Sequence, residues 1–236
     1  MNPHTPFTAE LVAFEQVAKD TGVFRFRISE GEVATFTPGQ FFLLQVDEKT
    51  HRAYSAASSP GQLPEFDLLI KYLEGGAASE MLWQAQVGDA MHFRGPLGKF
   101  ALKHPENKQL FIATGTGLAP IRAMMQDLAE SASPPPMHLV FGVRHAANLF
   151  CVQEFAELHA ADAKSFRYRL CLSRPEEGVE LDFLEGRVTD YVRALPDAEF
   201  EDTEVSICGS RQMVVDIREI LEQKGVDNSL INVESW

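Results

Sequence analysis

The stretch Leu110-Phe111-Ile112-Ala113-Thr114-Gly115-Thr116-Gly117-Leu118-Ala119-Pro120 decides the fold. Its first half, 110–114, is a short apolar run of the kind that forms a buried parallel strand. Gly115 and Gly117 interrupt that run and let the backbone turn tightly or approach another group closely. Pro120 suits a first helical turn, where its missing N–H is not needed. A helix is predicted over 118–130. Strand, glycine turn and helix in that order open a βαβ unit.

The same rhythm continues downstream. Strands are predicted over 139–143, 168–173 and 204–208, and helices over 149–160, 188–195 and 212–224. This alternation implies a parallel, Rossmann-like α/β sheet covered on both faces. Pro134-Pro135-Pro136 reads as a stiff loop and 103–108 as a polar linker. Upstream the reading is all β. Short runs over 11–17, 22–29, 41–46, 52–57, 66–72 and 91–94 are separated by Asp20-Thr21-Gly22, Pro38-Gly39 and Ser58-Ser59-Pro60-Gly61. One helix, about 77–86, interrupts them, and Gly95-Pro96-Leu97-Gly98 reads as a closing turn. Short strands at this spacing predict a small antiparallel Greek-key β-barrel. The expected division is a barrel over 1–102 and an α/β domain over 103–236, with the cleft between them as the default ligand site.

Composition narrows the function classes. The 236 residues carry 21 Lys and Arg against 34 Asp and Glu, a net charge of −13. That balance argues against nucleic-acid binding and against docking on anionic lipid. The longest apolar stretch, 110–125, is broken by Gly115, Gly117 and Pro120, and the N-terminal residues show no signal-like core, so a cytoplasmic protein is expected. Cys151, Cys171 and Cys208 fit reduced thiols. Three cysteines fall short of a plant-type iron–sulfur site. No metal is expected, and any redox centre is expected to be an organic cofactor.

Several short motifs carry chemistry. The amides and dipole at the helix start after Thr114-Gly115-Thr116-Gly117 favour a pyrophosphate, although a bare βα turn reads the same way. On a predicted strand, Arg52-Ala53-Tyr54-Ser55 places Arg52 and Tyr54 on one face. A guanidinium there clasps a diphosphate and a tyrosine face stacks on a flat ring; an ordinary barrel strand fits those four residues equally. Gly75-Gly76-Ala77-Ala78-Ser79 is a second glycine turn into a helix, hence a second anion site or a plain connection. Ile207-Cys208-Gly209-Ser210 puts Cys208 at the carboxyl edge of the last main strand, where the alternative is a small buried thiol. Asn232-Val233-Glu234-Ser235-Trp236 places an aromatic residue in the C-terminal segment.

Taken in order, these motifs resemble the ferredoxin–NADP(H) reductase family over nearly the whole chain. Arg52-Ala53-Tyr54-Ser55 looks like its Arg-x-Tyr-Ser flavin motif and Gly76-Ala77-Ala78-Ser79 like its Gly-x-x-Ser pyrophosphate motif. Residues 114–120 resemble its nicotinamide-pyrophosphate turn, Cys208-Gly209 its Cys-Gly pair, and 232–236 its Asn-Val-Glu-x-aromatic ending with Trp in place of Tyr.

The resemblance implies a flavoenzyme with FAD as its cofactor and no fused iron–sulfur domain. Electrons would pass between NADPH and a one-electron carrier, ferredoxin or flavodoxin, on a separate chain. It implies that Arg52, helped by amides near Ala77, Ala78 and Ser79, holds the FAD diphosphate, that Tyr54 stacks on the isoalloxazine, and that Ser55 sits by flavin N5. Ala53, Ile70 and Lys71 count among the cofactor-binding positions. Cys208, Gly209 and Glu234 would lie near the nicotinamide, with Trp236 over the other flavin face. Ser55, Cys208, Glu234 and Trp236 form the expected catalytic group, with Glu234 as a proton relay and Cys208 not as a nucleophile.

A Ser173-Arg174 pair and Arg187, assisted by Arg144, would clasp the 2′-phosphate of NADPH in preference to NADH, against repulsion from Glu176 and Glu177. A basic face around Arg25, Arg27, Lys71 or Arg94 would receive an acidic partner; otherwise the partner is less acidic. Two other readings stay open: a free-flavin reductase or oxygenase reductase component, and a non-catalytic flavin- or nucleotide-binding regulatory module.

A stacked Trp236 blocks the roughly 3–3.5 Å approach that hydride transfer needs, so it must swing aside. Trp236→Ser is expected to raise dinucleotide occupancy of the flavin-loaded protein and to increase NADH use; titration spectra and steady-state rates check both.

Overall fold

A computed structural model describes residues 6–33 and 35–235. The first half is a six-stranded antiparallel sheet of β1 (Pro6–Ala18), β2 (Thr21–Glu30), β3 (Phe41–Gln45), β4 (His51–Ser55), β5 (Glu65–Lys71) and β6 (Ala90–Leu97), with helix α1 (Ala77–Gln84). Strand order is β4-β3-β6-β1-β2-β5, and an Ala56–Leu68 bridge brings the two edges together, closing a Greek-key barrel. Alternation drives it. Along β2, Phe24 and Phe26 point inward and are fully buried, while Arg25 and Arg27 point out. The barrel core is aromatic: Phe66 packs against Phe7, Phe26, Phe42 and Phe93 at centroid separations of 4.8 to 6.1 Å.

The expected turn at 95–98 begins later than its composition implies. Gly95, Pro96 and Leu97 remain in β6, because Leu97 pairs with Phe41 across a register shift in the β3–β6 ladder. The chain turns at Gly98, whose φ of +99° suits glycine.

The second half is a parallel sheet. In chain order it contains β7 (Lys108–Thr114), α2 (Leu118–Ala129), β8 (Met137–Val143), α3 (Val152–Ala161), β9 (Phe166–Leu172), β10 (Leu184–Glu185), α4 (Val188–Ala194), β11 (Thr203–Gly209), α5 (Arg211–Gln223) and β12 (Ile231–Ser235). Strand order is β10-β9-β8-β7-β11-β12. Phe111 and Ala113 pack with α2 and α3, and Leu110 and Ile112 with α4 and α5, so both faces are covered. Among the described residues, no helix is long and apolar enough to cross a membrane.

Three corrections concern this half. Helix α3 starts at Val152 rather than 149, because Phe150 is drawn into the core against Phe141 and Cys151 turns the chain at φ +58°. The tail 231–235 is a strand, β12, paired in parallel with β11. The segment 103–108 is no free linker. The fully buried Glu204 accepts the amides of Lys103 at 2.7 Å and His104 at 2.9 Å, and the side-chain amide of Asn232 as well.

Barrel and sheet meet through polar contacts from α2. Arg122 reaches Asp67 of β5 and the carbonyl of Ala57, Gln126 accepts the amide of Ser59, and Glu130 accepts the hydroxyl of Ser59. Glu204→Ala would take the acceptor from three donors, one of them the buried Asn232 side-chain amide. It is expected to destabilise the protein by about 2–4 kcal/mol, read from chemical denaturation midpoints.

Candidate active site at the junction of barrel and sheet

The chain runs outward from β7 through β8 to β10, then returns to add β11 and β12 on the other side. The switch point therefore lies between β7 and β11, and a ligand crevice forms at their carboxyl ends. Two glycines keep it open. A side chain at Gly209 would sit 2.2 Å from Thr114 Oγ1 and 2.4 Å from Met213 Cε, and one at Gly142 would sit 2.6 Å from Val188 Cγ1. Gly115 holds φ +54° in the tight turn that opens α2.

A cleft of about 510 Å³ lies here. Thr114, Gly115, Thr116, Arg144, Ser173, Arg174 and Arg187 line it, as expected, together with Lys71 from the barrel. The sequence reading missed Asp20, Thr21, Asn148, Phe150, Ser210, Gln212 and Asp216, which also line it. For Ser210 a signal existed: a serine between strand and helix is a natural cap, and its hydroxyl accepts the Met213 amide of α5. Asp20 and Thr21 sit on a barrel hairpin, which no local pattern connects to the sheet. Gly117 is buried at the start of α2 and lies outside the lining.

Electrostatics favour an anion in this cleft. Among the described residues, no carboxylate lies within ion-pair distance of Arg144, Arg174 or Arg187. Arg174 donates its amide to the Arg144 carbonyl at 2.8 Å, which places the two side by side at the ends of β8 and β9. Glu176, expected to oppose them, is turned toward His145, with Nδ1 at 3.0 Å, and accepts the Ala146 amide at 3.3 Å. Its own backbone amide, and then the Ala146 amide and His145, lower its pKa. Thr114 lines the cleft, and its Oγ1 is buried against Gly209 with no hydrogen-bond partner.

The flavin-type motif lies on the barrel side. Tyr54 is half-buried against the aromatic core, and burial raises its phenol pKa. Arg52 is exposed and donates from Nη1 to the His51 carbonyl at 2.9 Å; Ala53 beside it is exposed. At α1, Gly76 is irreplaceable for steric reasons, since a Cβ would meet Ser79 Oγ at 2.8 Å and Leu73 O at 2.9 Å. The Ser79 hydroxyl is spent on this turn, accepting the Leu73 amide at 3.1 Å. The amides of Ala77, Ala78 and Ser79 open the helix, and no side chain caps them. Ile70, an expected cofactor-binding position, has its side chain in the barrel core at 1% exposure and sits opposite Gly22 in the β2–β5 ladder. Lys71 pairs with Asp20 at 3.0 Å.

The expected basic face is also corrected. Arg25 and Arg27 sit opposite Asp67 and Glu65 across the β2–β5 ladder and pair with them at 2.8 Å and 2.5 Å. With Lys71 paired too, Arg94 alone of the four lacks a carboxylate among the described residues.

Where the two halves touch, Ser55 Oγ donates to Glu234 Oε2 at 3.3 Å. Glu234 is the register partner of Cys208 on the neighbouring strand. The three residues are thus brought together by β4, β11 and β12. Burial raises the Glu234 carboxyl above its ordinary 4.5, against a smaller lowering from Ser55. Burial, then the adjacent Glu234 charge, raises the Cys208 thiol, so it is a neutral, compact wall of the site. Cys171, which lines the cleft, is likewise pushed up to about 12 by burial. Trp236 lies outside the described residues.

The arrangement suits two flat cofactors. One side offers an exposed guanidinium, an uncapped helix start and a tyrosine, which fit a flavin dinucleotide. The other offers an unpartnered hydroxyl, a glycine turn and free arginines, which fit a nicotinamide dinucleotide.

Comparison with known proteins agrees with that division. Residues 8–102 match a family described as "Oxidoreductase FAD-binding domain" and residues 111–219 one described as "Oxidoreductase NAD-binding domain". The chain is 31% identical over 222 residues to the toluate 1,2-dioxygenase electron transfer component of Pseudomonas putida, covering 93% of this chain and 64% of that protein. It is 31% identical over 240 residues to ferredoxin–NADP reductase B of Sorangium cellulosum (strain So ce56), covering 98% of both. Among solved structures it resembles the Amycolatopsis cytochrome P450 reductase GcoB, with a TM-score of 0.86 at 26% identity over 98% of this chain and 69% of that one. The chain therefore spans about two thirds of the length of some relatives and nearly all of another.

Because the Glu234 pKa is raised, its proton is fully held below 4.5 and lost only as pH rises through the higher folded-state value. Dinucleotide-driven bleaching of the FAD-loaded protein is expected to slow across that window. Glu234→Gln, neutral throughout, is expected to remove the limb, as stopped-flow absorbance from about pH 5 to about pH 8 would reveal.

Proposed function

The chain belongs to the ferredoxin–NADP(H) reductase family, and from that premise we propose that it takes reducing equivalents from NADPH and passes them singly to a separate iron–sulfur or flavodoxin carrier. The observation that carries the choice of NADPH is the trio Arg144, Arg174 and Arg187, which line a cleft that both halves build and, among the described residues, have no carboxylate in ion-pair range. A planar guanidinium fork matches the 2′-phosphate that distinguishes NADPH from NADH. Glu176, one of the two carboxylates set against this choice, is turned toward His145.

FAD, when bound, accepts two electrons from the nicotinamide and returns them one at a time. The chain supplies alignment and proton control. Arg52 and the α1 amides hold the flavin diphosphate, and the Tyr54 ring supports the isoalloxazine from the barrel side. Thr114, Gly115 and the start of α2 hold the dinucleotide diphosphate. Ser55 and Glu234 hold a proton at the junction. Cys208, small and neutral, leaves room for the nicotinamide. Trp236 belongs to this group by its motif.

A second reading is a reductase component that feeds an oxygenase directly. The likeness to the toluate 1,2-dioxygenase electron transfer component favours it. So does the pairing of Arg25, Arg27 and Lys71, which leaves little positive surface to steer a strongly acidic carrier. Assays with ferredoxin, flavodoxin, free FMN and an oxygenase component separate the two.

The test of the central reading is a spectrum. The purified protein is expected to be yellow and to bleach faster with NADPH than with NADH. Replacing Arg174 and Arg187 with Ala is expected to weaken NADPH binding roughly 10–100-fold while leaving NADH nearly unchanged. Equal losses for both dinucleotides, or a preference for NADH at the outset, would overturn the choice of NADPH.

A further inference from the structure

Helix α2 and its C-cap residue present Arg122, Gln126 and Glu130 at i, i+4 and i+8, a polar stripe that contacts the barrel. All three touch the loop 57–59 that follows β4, or residues bonded to it. The first is the most constrained. The Arg122 side chain is 13% exposed, with Nε donating to Glu154 Oε2 of α3 at 2.7 Å. Its Nη1 donates to the Ala57 carbonyl at 2.7 Å and to Asp67 Oδ2 at 3.2 Å. Asp67 is tied to the same loop through its backbone: its carbonyl accepts the Ala57 amide at 2.8 Å, and its amide donates to Ser58 Oγ at 2.9 Å.

One buried guanidinium thus links four elements. On the barrel it holds the exit of β4, two residues past Ser55, and the middle of β5. On the sheet it sits in the first turns of the helix that opens with the Thr114–Gly117 dinucleotide turn, and it braces α3. It does not line the cleft. Its partners differ from those of the cleft arginines in being carboxylates and a carbonyl, which a guanidinium fork orients rigidly.

We propose that Arg122 is a positioning residue that sets the approach of the nicotinamide to the flavin, by clamping the flavin-bearing strand β4 to the dinucleotide-bearing helix α2. The reaction it serves tolerates little slack. Reacting atoms must approach to about 3–3.5 Å, and a displacement of about 1 Å costs on the order of a hundredfold. The inference rests on the dinucleotide-to-flavin reaction proposed above.

The experiment uses the FAD-loaded protein with Arg122→Gln, Arg122→Lys and Glu154→Gln, the last removing one anchor while leaving Arg122 in place. Four readouts are taken: flavin content with thermal midpoint, equilibrium affinity for NADP+, the limiting rate of flavin bleaching at saturating NADPH, and the long-wavelength charge-transfer band of the reduced flavin with NADP+. Arg122→Gln is expected to lower the limiting rate roughly 10–100-fold and to weaken the band, with NADP+ affinity changed less than about threefold. Arg122→Lys and Glu154→Gln are expected to lie between it and the unaltered protein.

Unchanged rate and band in a flavin-loaded variant would overturn the proposal, as would a rate loss that only tracks lost flavin. If Arg122→Gln does not fold, the other two decide by the same criteria. Failure of the unaltered protein to bleach with either dinucleotide would sink the functional reading and this inference with it, whereas normal bleaching in every variant would sink the inference alone.

Discussion

The Asp67 carboxylate is at 1% side-chain exposure, and two arginines from opposite halves of the molecule meet on it. Arg25 approaches from the barrel and Arg122 from α2. A carboxylate so buried is costly to hold unless each oxygen has a donor, and here each does. The constraint runs both ways. Through Asp67, Ala57 and Glu154, Arg122 ties the barrel strands to helices α2 and α3 of the sheet domain. Everything else in the site presupposes that relation, because the flavin motif stands on the barrel and the dinucleotide turn on the sheet.

Given that clamp, the chemistry at the junction follows from ordinary physical effects. Two glycines at the switch point let strands and helices close to distances that any side chain would block. Burial keeps the Cys208 thiol neutral and holds a proton on Glu234 above the usual carboxylate range. Among the described residues, Arg144, Arg174 and Arg187 line the cleft with no carboxylate in ion-pair range, in a chain of net charge −13, and that corner favours an anion. The acidic excess is thus compatible with a phosphate-bearing ligand, because local pairing and not net charge sets the field at the cleft.

Much of this was legible from residue order. The apolar run before Thr114 and the glycines after it read as strand, turn and helix because those choices depend on backbone freedom within a few residues. The alternation of Phe24 and Phe26 with Arg25 and Arg27 marked a barrel strand for the same reason. Misreadings came where distant packing overrode local preference. Gly95-Pro96 looked like a turn, yet pairing with Phe41 kept the strand going. The polar run at 103–108 looked like a linker, yet a buried carboxylate 100 and 101 positions away from His104 and Lys103 holds it down.

Sequence by itself determined the two-part architecture, the glycine turns and the motif order that identifies the family, since each is written in neighbouring residues. Tertiary structure alone decided which of those residues meet. Ser55 and Glu234 are 179 positions apart and touch only because β12 adds to the sheet beside β11. Arg122 drew no notice in the sequence, since its partners Ala57, Asp67 and Glu154 lie 65, 55 and 32 positions away. Likewise Arg25 and Arg27 read as a free basic face until strand register set carboxylates opposite them. Contacts between remote segments depend on how whole sheets dock, and no local pattern of residue types encodes that.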